Sequence, residues 1–102
     1  SEKHQSGEGH PLSGISVENV PNQPGFFGKH KGRSGVVVTD IEKDSPAERA
    51  GLRVDDVIRE INRTPVKDVQ AFERLTAQLS PRTPVLLLIN RGNATVFLSI
   101  AP

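Results

Sequence analysis

The sequence predicts a small α+β domain, a mostly antiparallel sandwich or partly open barrel of five to six strands with two helices. Three observations carry this. Short β-branched or alternating apolar runs recur along the chain, each bounded by Gly, Asn or Pro. Two segments between those runs carry helix start and stop residues. The 102 residues, with 9 Gly and 8 Pro and 25% charged side chains, suit one domain with several turns and a modest core.

Residues 1–10 (SEKHQSGEGH) are polar and small, and are expected to form a disordered lead or tag remnant, with the domain at 11–102. Ile15 and Val17 alternate with Ser16 and Glu18, as in a half-buried strand. The stretch 21–35 (PNQPGFFGKHKGRSG) holds a Pro pair and four Gly, which predicts a long irregular loop anchored by Phe26 and Phe27. Gly35 to Ile41 is β-branched and gives the strongest strand signal.

Ser45, Pro46 and Glu48 have the spacing of a helix cap, a first-turn proline and a capping-box partner. Gly51 ends that helix, because only glycine enters the left-handed region cheaply. Asp56 to Ile61 reads as the next strand, Asn62-Arg63 as a turn, and Thr64 to Val66 as a brief extended piece. Asp68 caps a longer helix to about Leu79, with Val69, Phe72, Leu75, Thr76 and Leu79 on one face. Val85 to Asn90 and Ala94 to Ile100 form a hairpin about Arg91-Gly92-Asn93, with Val96, Leu98 and Ile100 facing one way.

Composition and motifs argue against several function classes. A net charge of +1 gives no electrostatic basis for nucleic acid binding or an anionic membrane surface. The longest apolar run, Val85 to Ile89, is too short to cross a bilayer. The absence of cysteine removes disulfides and thiolate chemistry and fits oxidising and reducing compartments alike. His4, His10 and His30 lie in polar segments without a metal-ligand pattern, so no metal or other cofactor is expected. No Ser-His-Asp arrangement is in view, so no catalytic residue is assigned. Lys29, His30, Lys31 and Arg33 form a small basic cluster that reads as a solvated loop or as a docking point for an acidic neighbour. The first residues lack a signal-peptide pattern and an initiator Met, and an excised fragment is expected.

Several segments together resemble PDZ domains. Ser45-Pro46-Ala47 with Ala50-Gly51-Leu52 resembles the family's S-P-A-x-x-A-G-L helix. Asp56-Val57-Ile58 with Ile61-Asn62 resembles its G-D-V-I-x-x-I-N strand and turn, with Asp55 where Gly is usual. Gly35 to Val38 and Leu86 to Gly92 are similar to strands of the bacterial HtrA/Deg serine proteases. The resemblance covers about residues 11 to 101 and is greatest to the second, C-terminal PDZ domain of such proteins. It implies a circularly permuted domain whose ligand-binding strand comes first. It also implies a trypsin-like serine endopeptidase as the parent chain, with the end at Ile100-Ala101-Pro102 close to that chain's terminus, and a periplasmic location.

The same resemblance implies a peptide-binding groove. Leu12-Ser13-Gly14-Ile15 falls where the family places its carboxylate-binding loop, although a hydrophobic residue is usual at the position of Ser13. In such a groove a guest peptide adds as a strand along Ile15, Ser16 and Val17, with Ser16 and Glu18 pointing away from the helix. A nest of N–H groups at Ser13, Gly14 and Ile15 would take the terminal carboxylate. Across the groove, Thr76 and Leu79 would line the terminal side-chain pocket, Phe72 would meet the residue two positions earlier, and Leu75 also lies on that helix. Small or medium apolar C-termini are the expected ligands. Core packing accounts equally for Ile15, Val17, Phe72 and Leu79, and Gly14 also suits an ordinary turn, so both readings stand at this point. The expected partners are C-terminal or extended peptides of unfolded proteins, and the protease and PDZ domains of the same chain or oligomer. The alternative is an oligomer- or cage-assembly module with little peptide binding.

Overall fold

The structure is a computed structural model and describes residues 4–5, 10–20 and 35–102. The expected loop with Phe26 and Phe27, and the basic cluster from Lys29 to Arg33, lie outside the described residues. Nine elements follow one another: β1 (His4–Gln5), β2 (Ile15–Asn19), β3 (Val36–Ile41), α1 (Pro46–Ala50), β4 (Val57–Ile61), β5 (Thr64–Pro65), α2 (Val69–Thr76), β6 (Val85–Arg91) and β7 (Ala94–Ile100).

The strands form one antiparallel sheet in the order β1-β2-β3-β4-β6-β7, with β5 paired to β4. The α+β class, the two helices and the element order agree with the sequence. The one strand beyond the expected five to six is β1, of two residues, whereas β5 is the brief extended piece expected at Thr64 to Val66. Most of the lead lies outside the described residues, but His4 pairs with Val17 and Gln5 with Ser16, and His10 is buried.

Local chemistry sets the helix ends. Ser45 Oγ accepts from the Glu48 N–H at 3.3 Å, and Glu48 Oε1 accepts from the Asp44 N–H at 2.7 Å. Gly51 leaves α1 at φ 101°, the left-handed conformation. Asp68 Oδ1 accepts from the Ala71 N–H at 2.9 Å and opens α2. The helix ends at Thr76, three residues before the expected Leu79; the Leu79 N–H bonds instead to Thr76 O at 3.1 Å, in the tighter turn that follows.

Two register shifts explain why apolar residues three apart share a strand face. Ser16 pairs with Asp40 but Val17 with Val38, so Thr39 is an extra residue in β3. The extra residue brings Ile41 back to the core side already occupied by Val36 and Val38. Likewise Ile58 pairs with Ile89 and Glu60 with Leu88, so Arg59 is extra in β4 and Ile58 and Ile61 both reach the core. Gly35, at φ 145°, enters β3 where a Cβ would stand 2.8 Å from Ile58 O, so no larger residue fits that approach.

One apolar core joins the elements. Leu12, Ile15 and Val17 meet Val36 and Val38, Ile58 and Ile61, Phe72, Leu87, Ile89 and Ile100, all buried. Burying a side chain such as Phe72 contributes about 1.5–3 kcal/mol, so this cluster is the main favourable term. The outer face of β7 leaves Phe97 64% exposed.

Candidate functional site

The groove expected between the first long strand and the second helix is built by β2, the turn before it, and α2. Asn19 at the end of β2 reaches across this gap. Its Oδ1 accepts from the Val69 N–H at 2.8 Å, one of the N–H groups at the start of α2. The bond ties the two walls together at one end. The sequence reading passed over Asn19, because its partner lies 50 residues away.

The other end is the turn from His10 to Gly14. Gly14 has φ 92°, and a Cβ there would stand 3.1 Å from the Glu42 Cβ and 3.3 Å from the Ser45 Cβ. Both the backbone angle and the space demand glycine. Gly14 O accepts from the Glu42 N–H at 2.7 Å, which fixes the loop against the β3–α1 connection. His10 holds the turn from within. Its Nδ1 accepts from the Leu12 N–H at 3.1 Å, and its carbonyl accepts from the Ser13 N–H at 3.0 Å. Ser13 was expected to offer its N–H to a carboxylate along with Gly14 and Ile15; in this conformation that N–H closes the turn instead.

His10 is buried, and its Nε2 has no hydrogen-bond partner among the described residues. Burial holds its pKa below the usual 6.5, because desolvation disfavours the imidazolium. The accepted bond from Leu12 likewise requires an unprotonated Nδ1. The sequence weighed His10 only as a metal ligand and missed its part in this loop.

The remaining site residues are placed as follows. Leu12, Ile15, Val17 and Phe72 are fully buried members of the core. Leu75 and Leu79 are partly buried and pack against it. Thr76 is buried, with its Oγ1 donating to Glu73 O at 3.1 Å. Ser16 was expected on the outer face with Glu18; Glu18 is half-buried, but Ser16 is buried. It lies in register between Gln5 of β1 and Asp40 of β3. The β2 edge was expected to be open, and this pairing corrects that: at Ser16 and Val17 the chain's own β1 already runs beside it. The elements therefore bring Gly14, Ile15, Ser16 and Val17 together along one track, with α2 beside it.

Away from the groove, a shallow depression of about 430 Å³ lies at α1, lined by Ile41, Glu48, Gly51, Leu52, Arg53 and Val54. Among the described residues there is no cluster of metal-ligating side chains, and no helix is long and apolar enough to cross a membrane.

A permuted antiparallel sheet with a glycine-bearing loop leading into the edge strand, and a helix alongside, defines the PDZ architecture. The PDZ domain family model matches residues 11–101, and the chain belongs to that family. Within it, the similarity is to the HtrA type. Over 83 residues the chain is 34% identical to a probable periplasmic serine endoprotease DegP-like of Chlamydia trachomatis, covering 81% of this chain and 17% of that protein. The chain thus spans about a sixth of that relative's length. The crystal structure of the HtrA3 PDZ domain bound to a phage-derived ligand, FGRWV, superposes with a TM-score of 0.69 at 28% identity, over 87% of this chain and 81% of that one. The HtrA-type protease AlgW with decapeptide shares the fold, with a TM-score of 0.73 at 24% identity, over 86% of this chain and 27% of that one.

Proposed function

We propose that this domain binds extended or C-terminal peptide segments by strand addition along β2, as a non-catalytic module of a periplasmic HtrA-type serine endoprotease that recruits substrate or regulates cleavage. The observation that carries the reading is the left-handed Gly14 loop leading into β2 with α2 alongside; at Ser16 and Val17 β2 also takes an added antiparallel strand, β1. Main-chain bonds along such an edge give affinity without strong sequence preference, and alternate side chains give selectivity. In this reading the partly buried Leu75 and Leu79 give α2 its apolar wall, with the buried Phe72 and Thr76 on the same helix, which suits small or medium apolar termini. The HtrA3 PDZ domain, at 28% identity, is bound to a peptide ligand, FGRWV, which supports the ligand class.

A second reading, an assembly module with weak peptide binding, draws on two observations. The edge is already paired at two positions, and Phe97 stands exposed on β7 as an apolar contact for a neighbouring domain. Titration with a peptide ending in an apolar residue, free or amidated at its C-terminus, separates the two. The peptide reading expects amide shifts at Ser13 to Asn19 and in α2, larger for the free acid. An absence of shifts at about millimolar peptide places any Kd well above that concentration and leaves assembly as the function.

A further inference from the structure

The polarity and position of β1 have a consequence for binding. His4 pairs with Val17 and Gln5 with Ser16, so each step forward along β1 moves one residue back toward Gly14. A guest peptide with its carboxylate at the Gly14 loop must run the same way, antiparallel to β2 and with its C-terminus toward that loop. β1 therefore lies on the guest's own track and in the guest's orientation. It also lies outside residues 11–101, the part that the PDZ family model matches.

We propose that His4–Gln5 acts as an intramolecular pseudo-ligand that competes with peptides for the β2 edge; the inference rests on the peptide-binding reading above. Two properties set its strength. The tether is short: four residues, Ser6 to Gly9, link Gln5 to the turn that begins at His10. Such a tether holds a segment at an effective concentration on the order of millimolar. The pairing itself is small, two residue pairs, so it is a weak strand at high local concentration. A guest with a longer edge contact and a carboxylate displaces it, whereas short or poorly fitting peptides do not. The device thus raises the threshold for binding without closing the groove.

The arithmetic is that of a partly populated competent state. The apparent Kd equals the intrinsic Kd divided by the fraction of molecules with a free edge, so an edge free a tenth to half of the time weakens binding about two- to tenfold. The pairing is between backbones and does not require particular side chains at positions 4 and 5. Proline at both positions removes both N–H donors and disfavours the ladder, whereas alanine at both preserves it.

The test compares the full chain with the doubly substituted chains His4→Pro/Gln5→Pro and His4→Ala/Gln5→Ala. The first readout is amide exchange and cross-strand NMR contacts at Ser16 and Val17 without peptide. The second is the Kd for one extended peptide with a free apolar C-terminus. Competition is upheld if the proline pair loses the cross-strand contacts and binds about two- to tenfold more tightly, while the alanine pair behaves as the parent. Equal affinity in all three chains overturns the competition and leaves the peptide-binding reading intact. No binding by any of them, the proline pair included, overturns both, and a rise in affinity in the proline pair with the cross-strand contacts intact excludes β1 as the competitor.

Discussion

Arg91 grips Asp56 with a fork of two hydrogen bonds, Nε to Oδ1 at 2.9 Å and Nη2 to Oδ2 at 2.8 Å, joining the β6–β7 hairpin to the start of β4. The Asp56 side chain is 2% exposed and that of Arg91 31%. The same carboxylate accepts from the Arg53 N–H at 2.9 Å, and Arg91 Nη2 also donates to Gly51 O at 2.9 Å. The bond to Asp56 raises the Arg91 pKa further above its ordinary value, so the guanidinium keeps its charge at every working pH. The pair ties the loop after α1 to the far hairpin.

Asp56→Ala is therefore expected to destabilise the fold by about 2–3 kcal/mol, less than a fully buried pair because Arg91 keeps part of its hydration. The Arg53 N–H and the guanidinium would lose their acceptor. Chemical denaturation measures this as a lower midpoint at unchanged slope. Arg91→Ala should cost a similar amount, and the double variant less than the sum of the two. Strict additivity in that cycle would mean the fork contributes nothing as a pair.

Gly14→Ala tests the loop at the head of the groove. At φ 92° an L-residue is strained by about 1–2 kcal/mol, and its Cβ must push against Glu42 and Ser45. The expected result is a modest loss of stability and a larger loss of affinity for free-acid peptides, because the loop next to Ile15 has to shift. Amidated peptides should lose less. If stability and both affinities match the parent, the left-handed glycine is not needed for the loop.

Thr39→Val should stabilise the protein. Thr39 is the extra residue of β3, and its Oγ1 is buried without a hydrogen-bond partner among the described residues. Replacing the hydroxyl with a methyl removes an unsatisfied polar atom, keeps the β-branch, and should gain about 0.5–1 kcal/mol. Thermal or urea midpoints read the change directly. A loss of stability would reveal that the hydroxyl is engaged after all.

These sites divide according to what a linear reading can see. Helix caps are local, so Ser45 with Pro46 and Gly51, and Asp68, were legible from spacing alone. So were the two-residue turns: Asn62 and Arg63 both take positive φ, and Gly92 takes φ 61° between Arg91 and Ala94. The bulges were half legible. Val38 to Ile41 and Ile58 to Ile61 each break strict alternation by three, but a pattern cannot show which strand carries the extra residue. The contacts made by folding were not legible: Asn19 with Val69, and Arg91 with Asp56, lie 50 and 35 residues apart. β1 was missed for another reason. Two polar residues pair through backbone alone and leave no apolar signal.

His10 makes the stability of the groove depend on pH, and the sign follows from its burial. In the fold the ring is neutral, since Nδ1 accepts from the Leu12 N–H at 3.1 Å and Nε2 is buried without a partner among the described residues. Its folded pKa lies below the ordinary 6.5, whereas the unfolded chain titrates near that value. As pH falls below 6.5, the unfolded chain takes up a proton that the folded chain refuses. The contribution of His10 is thus complete above the unfolded pKa, declines as pH falls toward the folded pKa, and levels off below it. Protonation at Nδ1 would also set two donors face to face at Leu12 and loosen the turn that carries Ser13 and Gly14. His10→Asn keeps an acceptor at the place of Nδ1 and cannot titrate. Denaturation midpoints at about pH 7.5 and about pH 5.5 should differ more for the parent than for His10→Asn, and peptide affinity should weaken on acidification in the parent alone. An equal pH dependence in both chains would assign the effect to groups other than His10 and remove it from the control of the loop.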